Sequence, residues 1–296
     1  MSALTASGRG VVTTDAQRTR KRKAPGAINP IYYVILIALV AFSMGPIVLS
    51  LFAALKTQSQ LAADPLGLPT SPQWGNFLVA WTQANMAAGF LNSIIIVGGT
   101  VIGVSVIAGL AAYAMARLDL PFSGGFMGYL LVSSALPIQL FLVPLFFLWT
   151  KLGLYDTQIG LIIIYCATLS PFATLLLRSF MISIPRDFDD AARIDGAGEL
   201  RVLFRIVLPI AWPGFLTIAL ITALDAYNEF LLAQTFIQSP DKMPVSIALY
   251  SFREGFSQNY VLISAAGWLM LLPMFVLFLI LQRRFVDGIS ASGLTG

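Results

Sequence analysis

The chain has 296 residues, of which 57% are hydrophobic and only 11% charged, and its mean hydropathy is +0.82. Because soluble domains carry about 25% charged residues, this composition excludes a water-soluble globule and predicts an integral membrane protein. There is no histidine, and the single cysteine, Cys166, lies in an apolar run, which excludes a disulfide framework and most zinc chemistry. The net charge of +4 does not indicate nucleic-acid binding, because six of the 18 basic residues precede residue 24, as in a membrane-orientation signal.

Residues 1–29 are polar, basic and poor in aromatic side chains, which predicts a disordered tail. Beyond this tail, six apolar stretches are long enough to cross a bilayer, which takes about 20 mostly apolar residues. We therefore predict an all-α integral membrane protein with six transmembrane helices. The predicted spans are 31–55, 91–116, 126–149, 157–177, 206–236 and 260–282.

Glycines and prolines interrupt these spans. Gly99 and Gly103 form a GxxxG pair in the second span, which predicts close packing against another helix. Proline removes a helical hydrogen bond and kinks the helix, so each proline predicts either an ordinary packing kink or a bent helix that lines a pathway. The prolines within the spans are Pro46, Pro137, Pro144, Pro171, Pro213 and Pro273.

Basic residues divide unevenly between the two sides of the predicted bundle. Six spans put both termini on one side, and that side holds 14 basic residues against 4 on the other. The positive-inside rule then predicts that both termini and the loop at 178–205 are cytoplasmic. The outer segment from Lys56 to about Gly89 is rich in Pro, Gly and Ser and is predicted to be an ordered loop. The 14 inner residues are Arg9, Arg18, Arg20, Lys21, Arg22, Lys23, Arg117, Arg178, Arg186, Arg193, Arg201, Arg205, Arg283 and Arg284, and the outer ones are Lys56, Lys151, Lys242 and Arg253.

The densest cluster of charge, in the cytoplasmic loop, has the signals of a short helix. Pro185 suits a first turn, Asp187 with Asp190 forms an acidic variant of the capping box, and Gly196 and Gly198 end the helix. Two turns are too short to be stable alone, so this helix must dock on lipid headgroups or on another protein. A face of small residues favours the protein, because a membrane anchor would carry bulkier side chains. The predicted face consists of Phe188, Ala191, Ala192 and Asp195.

The stretch DDAARIDGAGELRVLFRIVLPIAWPG, residues 189–214, closely resembles the cytoplasmic loop of ABC-importer membrane subunits. That family's pattern is Glu-Ala-Ala, then Asp-Gly-Ala three residues on, then a hydrophobic segment that ends in Leu-Pro; Asp190 stands where the pattern has glutamate. The segments LNSIIIV, PIQLFLVPLFFLW, LGLYDTQIGLIIIY, YNEFLLA and LQRRFVDGISASGLTG resemble the carbohydrate-uptake branch, in particular the smaller membrane subunit of maltose-type importers. The other matching loop positions are Ala191, Ala192, Asp195, Gly196, Ala197, Leu208 and Pro209.

The resemblance implies a type I ABC-importer permease fold whose loop helix sits in a cleft of an ATPase and couples the motion of that ATPase to the spans. The implied partners are a second permease subunit with six or more spans, two copies of a cytoplasmic ATPase, an extracytoplasmic solute-binding protein and membrane lipid. The chain itself is expected to be non-catalytic and without cofactor: it has no G-x-x-x-x-G-K-[ST] motif, so Mg-ATP is expected on the ATPase. The ATPase-coupling residues are expected to be Asp190, Ala191, Ala192, Asp195, Gly196, Ala197, Leu208 and Pro209.

The same resemblance places the chain in a bacterial cell membrane and divides it into segments. The predicted segments are a cytoplasmic tail at 1–29, a first transmembrane helix and outer loop at 30–87, an ABC-importer transmembrane domain of five helices at 88–282 with its coupling loop at 185–207, and a cytoplasmic tail at 283–296.

Two acids lie in the second half of the fifth span. Asp225 and Glu229 are four residues apart, so they are predicted to share a helix face. Acids within a span normally face the bundle interior or water. The sequence therefore predicts that they line or gate a solute pathway, with Tyr227 and Asn228 as neighbours. The alternative is a structural contact to the partner subunit or a solvated end of the helix.

The predicted function is that of a permease subunit that forms half of the pathway for a sugar or oligosaccharide. An alternative within the class is an importer of a polyol or a glycerol phosphodiester. An alternative of another class is a stand-alone secondary transporter, which would usually show more intramembrane charges and paired broken helices in two halves. An intramembrane enzyme is disfavoured, because the sequence has no histidine, no H-E-x-x-H and no G-x-S-x-G.

Overall fold

The structure is a computed structural model that describes residues 30–254 and 257–293. Within these residues the chain is almost wholly helical, and the strand pairing is one antiparallel ladder of two residues, between β1 (Arg253–Glu254) and β2 (Ser257–Gln258). The helices are α1 (Pro30–Ala54), α2 (Gln58–Ala63), α3 (Gly75–Gln83), α4 (Met86–Arg117), α5 (Ser123–Ala135), α6 (Leu142–Lys151), α7 (Gln158–Ile182), α8 (Asp187–Ile194), α9 (Glu199–Val202), α10 (Leu208–Ile210), α11 (Trp212–Asn228), α12 (Leu231–Phe236), α13 (Val245–Ala248) and α14 (Tyr260–Gly293).

Three helices of the described part are continuous, apolar and long enough to cross a membrane: α1, α4 and α7, with 25, 32 and 25 residues. They confirm the first, second and fourth predicted spans. Pro46 and Pro171 lie inside α1 and α7 without ending either helix. These two prolines therefore leave long helices intact.

The third predicted span, 126–149, is wrong as a single helix. Two helices, α5 and α6, meet there at 89° across a short 3₁₀ turn, Ile138–Phe141. The break lies before Pro137, because proline disfavours helical backbone in the residue that precedes it, and Leu136 is extended at φ −75° and ψ 127°. Pro144 lies in the first turn of α6, where the missing N–H has no helical partner to lose.

The fifth predicted span, 206–236, is also wrong as a single helix. A π-helical turn, Leu203–Val207, leads into α10, and the chain then bends by 76° before α11, whose second residue is Pro213. A second break follows α11, where Glu229 is extended at φ −66° and ψ 129° and α12 begins two residues later. Asp225 and Glu229 therefore do not share one helix, contrary to the prediction.

The sixth predicted span, 260–282, falls within α14. Its apolar stretch, Tyr260–Val276, is shorter than the three long helices and is not counted with them. The described residues therefore contain three helices of spanning length, or five spans if each bent pair counts as one. The helix continues to Gly293, into the predicted tail at 283–296, of which residues 294–296 lie outside the described residues. The predicted tail at 1–29 lies outside them entirely.

Contacts divide the chain into two units, residues 1–47 and residues 48–296. In the second unit, α4 and α7 pack closely along small residues. A Cβ built on Gly99 would lie 2.7 Å from Cδ1 of Ile162, and one built on Gly103 would lie 2.5 Å from Sγ of Cys166. This close approach confirms that the GxxxG pair is a helix-packing motif.

The loop between α1 and α4 is ordered, as predicted, and contains α2 and α3. The buried Lys56 donates from Nζ to the carbonyl of Asp64 at 2.6 Å, and the side-chain amide of Asn76 donates to the carbonyls of Ala54 and Lys56 at 2.8 and 2.9 Å. The Asn76 bonds satisfy the backbone where α1 ends, and the Lys56 bond does so where α2 ends.

Candidate functional site

The charged loop between α7 and α11 contains the predicted short helix, as α8. Its end follows the prediction: Gly196 has φ +78°, its N–H donates to the carbonyl of Arg193 at 3.0 Å, and the N–H of Ala197 donates to the carbonyl of Ala192 at 2.9 Å. This pair of bonds is a Schellman motif, which favours glycine at the left-handed position. The predicted cap by Asp187 is wrong. The residue before the helix is Arg186, and no side chain caps the first turn.

The two sides of α8 differ in exposure. Phe188, Ala191 and Asp195 are exposed, as is Ile194, whose exposed fraction of 87% is unusual for so apolar a residue. Ala192 is half-buried and packs on the core cluster that joins α4, α7 and the π-helical turn. The predicted face is therefore correct for three of its four members and wrong for Ala192, which lies on the opposite, inward side.

A buried ion pair fixes the inward side of α8. Nε of Arg117, the last residue of α4, lies 3.2 Å from Oδ2 of Asp189, and both side chains are only 2% exposed. The guanidinium of Arg117 also donates to the carbonyl of Ile184 at 2.9 Å. Sequence reasoning missed this pair, although Arg117 directly follows the second predicted span and is one of the basic residues predicted on the side of the loop.

A second, more exposed network joins α4 to both ends of α8. The Tyr113 hydroxyl donates to the carboxylate of Glu199 at 2.6 Å, and Arg193 pairs with Glu199 at 3.1 Å and with Asp190 at 3.3 Å. Burial alone would lower the pKa of Arg193, but the charge and hydrogen bonds of Glu199 raise that pKa above its ordinary value. The predicted coupling residue Asp190 is thus exposed and part of this network.

The remaining predicted coupling residues lie where the loop returns to the bundle. Ala197 and Leu208 are half-buried and pack against the same core cluster as Ala192, whereas Pro209 is exposed within α10. The structure therefore brings Ala192, Ala197 and Leu208 together at the base of the loop. It leaves Asp190, Ala191, Asp195 and Gly196 on its open side.

Two of the four predicted pathway residues have structural partners. Glu229 accepts a 2.7 Å hydrogen bond from the Tyr165 hydroxyl and the backbone N–H groups of Leu232 and Ala233 at 2.8 and 3.0 Å, so its carboxylate caps α12. Tyr227 is buried and donates to the carbonyl of Met270 at 2.8 Å, which ties α11 to α14. Tyr227 is thus buried and Glu229 half-buried, and both are held by other parts of the chain.

The other two predicted pathway residues lie on an exposed face. Asp225 and Asn228 are three residues apart on α11, and both are exposed. Asn228 donates only to the carbonyl of Leu224 at 2.8 Å, one turn back. Within residues 30–254 and 257–293, Asp225 has neither a hydrogen bond nor an ion pair, and it borders a narrow apolar cleft lined by Phe172 and Thr222. The structure thus separates the two acids that the sequence grouped together.

The connection between α6 and α7 carries a polar cluster that the sequence did not indicate. Asp156, between α6 and α7, has φ +55° and accepts the backbone N–H groups of Gln238 and Ser239, both at 2.9 Å. The hydroxyl of Ser239 also donates to it, and Lys242 pairs with it at 3.3 Å. Burial alone would raise the pKa of Asp156, but these donors lower it well below its usual range. The cluster fastens the segment after α12 to the start of α7.

The family described as the binding-protein-dependent transport system inner membrane component matches residues 105–291. The chain belongs to this family. The matched region contains Arg117, the whole of the α8 loop and α11. The chain is therefore a membrane component of a transport system that depends on a binding protein.

Two curated relatives resemble this transport component over most of their length. The sulfoquinovosyl glycerol transport system permease protein of Agrobacterium fabrum is 32% identical over 269 residues, which is 90% of this chain and 94% of that one. The diacetylchitobiose uptake system permease protein of Streptomyces coelicolor is 33% identical over 247 residues, which is 83% of this chain and 82% of that one.

A solved structure shares the fold of this transport component. The crystal structure of a bacterial ABC transporter involved in the import of the acidic polysaccharide alginate contains a chain that matches with a TM-score of 0.75 at 19% identity, over 86% of this chain and 95% of that chain. The helical architecture described above is therefore shared with a chain of that transporter.

Proposed function

We propose that this permease forms half of the translocation pathway for a sugar or oligosaccharide, that a binding protein delivers the solute from outside, and that an ATPase docked on the α8 loop drives the transport. The support for a carbohydrate is that the relatives described above are named for a sulfoquinovosyl glycerol and for diacetylchitobiose. The support for the docking surface is the exposed apolar side of α8.

The exposed side of α8 carries the proposal. Phe188, Ala191 and Ile194 lie on its open side, and Leu200 lies just beyond it. Apolar side chains grouped in a charged loop favour an interface with another protein. Asp189 and Ala192 hold one side of α8 against the bundle. The open side of α8 is therefore free to enter a cleft of a cytoplasmic partner. We assign this partner as the ATPase, with Mg-ATP bound there, and Asp190, Ala191, Asp195 and Gly196 as its contacts.

Six spans with both termini in the cytoplasm complete the proposed topology. The distribution of basic residues, 14 against 4, supports this orientation. The three long helices, the two bent pairs counted as one span each, and α14 together give six spans. The same topology retains the proposed segments 1–29, 30–87, 88–282 and 283–296. A second permease subunit would complete the pathway on the side of Asp225, because an exposed acid within a span requires a polar pathway or a protein neighbour rather than lipid.

The docking surface is tested with one substitution on each side of the membrane. Ala191→Trp places a bulky side chain on the open side of α8, and Ala62→Trp makes the same change at an exposed position of α2 in the outer loop. The complex is purified through a tag on this chain, and the amount of ATPase that copurifies is measured. We expect Ala191→Trp to lower it about tenfold, equivalent to 1.4 kcal/mol, and Ala62→Trp to leave it unchanged. Full recovery of the ATPase with Ala191→Trp would refute the docking surface.

Substitutions of Gly196 can distinguish two reasons for a glycine at this position: the left-handed turn and a close approach of the partner protein. A Cβ at this position would meet nothing within 4 Å in this chain, but the backbone has φ +78°. Asparagine tolerates this conformation and valine does not. We expect Gly196→Val to lower the yield of folded protein and Gly196→Asn to preserve it. If Gly196→Asn folds but loses solute-stimulated ATP hydrolysis, Gly196 contacts the partner. The same loss in a Gly196→Trp variant that folds would lead to the same conclusion.

The solute is identified with the binding protein of the same system. Its affinity is measured by calorimetry for a panel of mono- and oligosaccharides, glycosyl glycerols, polyols and glycerol phosphodiesters. We expect the tightest binding from a saccharide or a glycosyl glycerol. Preference for a free polyol or for a phosphodiester would replace the carbohydrate assignment and leave the permease assignment unchanged.

A further inference from the structure

The cytoplasmic end of α4 holds the α8 loop at several points. Arg117 reaches Asp189 within α8 and the carbonyl of Ile184 just before it. One turn earlier, Tyr113 binds Glu199, just after α8. The helix α8 is therefore fastened at its start and beyond its end to the same neighbouring helix.

The pair of Arg117 with Asp189 differs in kind from the exposed bridges of the loop. Its side chains are 2% exposed, whereas those of the Arg193–Asp190 bridge are 37% and 64% exposed. Within the described residues, neither Nε of Arg117 nor Oδ1 of Asp189 has a hydrogen-bond partner, so the charge of each side chain is opposed by the other through the ion pair alone. A buried charge without its partner is strongly unfavourable, so the contact between α8 and α4 resists separation.

The covalent route from α8 onward to α11 is less direct, whereas the link back to α7 is only the four residues 183–186. The chain must pass the π-helical turn Leu203–Val207 and a 76° bend before it reaches α11. By contrast, α4 packs against α7 through Gly99 and Gly103, and a Cβ on Gly109 would lie 3.0 Å from the ring of Phe215 in α11. A displacement of α8 that moves α4 therefore reaches both α7 and α11 through close helix contacts.

We propose that Arg117 and Asp189 are positioning residues for energy coupling, which join α8 to α4 as one rigid unit, so that motion imposed on α8 enters the bundle through α4. This inference rests on the proposed docking of an ATPase on α8. In this view, motion first passes from α8 to the bundle through the noncovalent contact with α4, rather than through the segment that connects α8 to α11.

The first test follows the distance between α8 and α4 in the whole complex. Spin labels are attached to Gly198→Cys, just after α8 and not among the proposed ATPase contacts, and to Ile102→Cys in α4, both exposed positions, in a chain with Cys166→Ala. Along α4, Ile102 lies about 22 Å from Arg117 at 1.5 Å per residue. We expect one narrow distance distribution that is the same without nucleotide and with ATP trapped. A shift between these two states in the otherwise native chain overturns the proposal, whether or not any coupling variant folds.

The second test removes the charges of the pair together. Arg117→Gln with Asp189→Asn leaves two neutral amides in place of the ion pair, and Asp119→Asn is the matched control at an exposed acid beside the end of α4, away from the proposed docking side of α8. Solute uptake and ATP hydrolysis are measured with the complex in vesicles. We expect the double variant to assemble with the ATPase and to lose at least about fivefold in solute moved per ATP, the low end of typical coupling between sites, while its label distribution broadens.

Each other outcome has a defined meaning. The proposal is overturned if the double variant assembles and moves as much solute per ATP as the control. It is also overturned if the double variant moves less solute per ATP but its label distribution is unchanged. Arg117→Lys keeps the charge and is expected to retain most of the coupling; uncoupling by this variant as severe as in the double variant would assign the effect to packing and overturn the ion-pair role. If the native complex itself shows no solute-stimulated hydrolysis, the proposed function fails instead.

Discussion

The Tyr165 hydroxyl donates a 2.7 Å hydrogen bond to the Glu229 carboxylate, across the break between α11 and α12. The same carboxylate accepts two backbone N–H groups at the start of α12. An acid that the sequence groups with the solute pathway is therefore a cap that stabilises a helix start.

Replacement of Glu229 is expected to destabilise the fold. Glu229→Ala removes the acceptor of three donors, and unsatisfied buried donors cost about 1–3 kcal/mol each. Tyr165→Phe removes one of these bonds and is expected to cost about 0.5–1.5 kcal/mol. Thermal unfolding of the purified protein in detergent, followed by tryptophan fluorescence, should rank the midpoints as wild type, Tyr165→Phe and Glu229→Ala in descending order. Equal midpoints for Glu229→Ala and wild type would contradict the capping role.

Asp225 is expected to behave in the opposite way. Within the described part of the chain it has no partner to lose, and exposed substitutions without such partners usually change stability by less than about 0.5 kcal/mol. Asp225→Asn should therefore leave the unfolding midpoint unchanged but impair uptake of the solute identified with the binding protein. Asn228→Ala, on the same exposed face, should show the same pattern to a smaller degree. Normal uptake by Asp225→Asn would remove this acid from the pathway.

Hydropathy and turn chemistry predicted the features that depend on local sequence. Three long helices, the short α8 and its glycine stop follow from runs of apolar residues and from the left-handed conformation that Gly196 adopts. The broken third span was signalled by Pro137, but the angle between α5 and α6 was not, because helix packing sets such an angle. Local patterns thus located the elements and left their directions open.

The roles of individual acids depended on distant partners that no local pattern contains. Asp187, Asp189 and Asp190 look alike in the sequence, yet only Asp189 lies against Arg117, which is remote along the chain. Likewise, nothing near Glu229 in sequence indicates a helix break, since the residue that stabilises its position is Tyr165 in α7. The sequence therefore predicted the short helix and its glycine stop, but not which side chains hold that helix to α4.

The Asp156 cluster predicts a specific dependence of stability on pH. The pKa of Asp156 is lowered in the folded chain, so its stabilising effect is present above the unfolded pKa of about 3.9 and is lost as the pH falls below it. Asp156→Asn tolerates φ +55° but cannot carry the charge. The difference in unfolding midpoint between wild type and Asp156→Asn should be constant from about pH 5 to 8 and shrink below about pH 4. A difference that grows on acidification would contradict the sign of this shift.

The contact between Gly103 and Cys166 predicts rescue by a second substitution. Gly103→Ala would place Cβ 2.5 Å from Sγ of Cys166, and overpacking of this kind costs about 1–3 kcal/mol. Cys166→Ala removes the sulfur that the new methyl group would meet, so the double variant should recover most of the unfolding midpoint. Gly98→Ala is the control on the same helix, because a Cβ there meets nothing within 4 Å, and it should be neutral or stabilising by up to about 1 kcal/mol. Additive losses in the double variant would show that α4 and α7 do not meet at this pair.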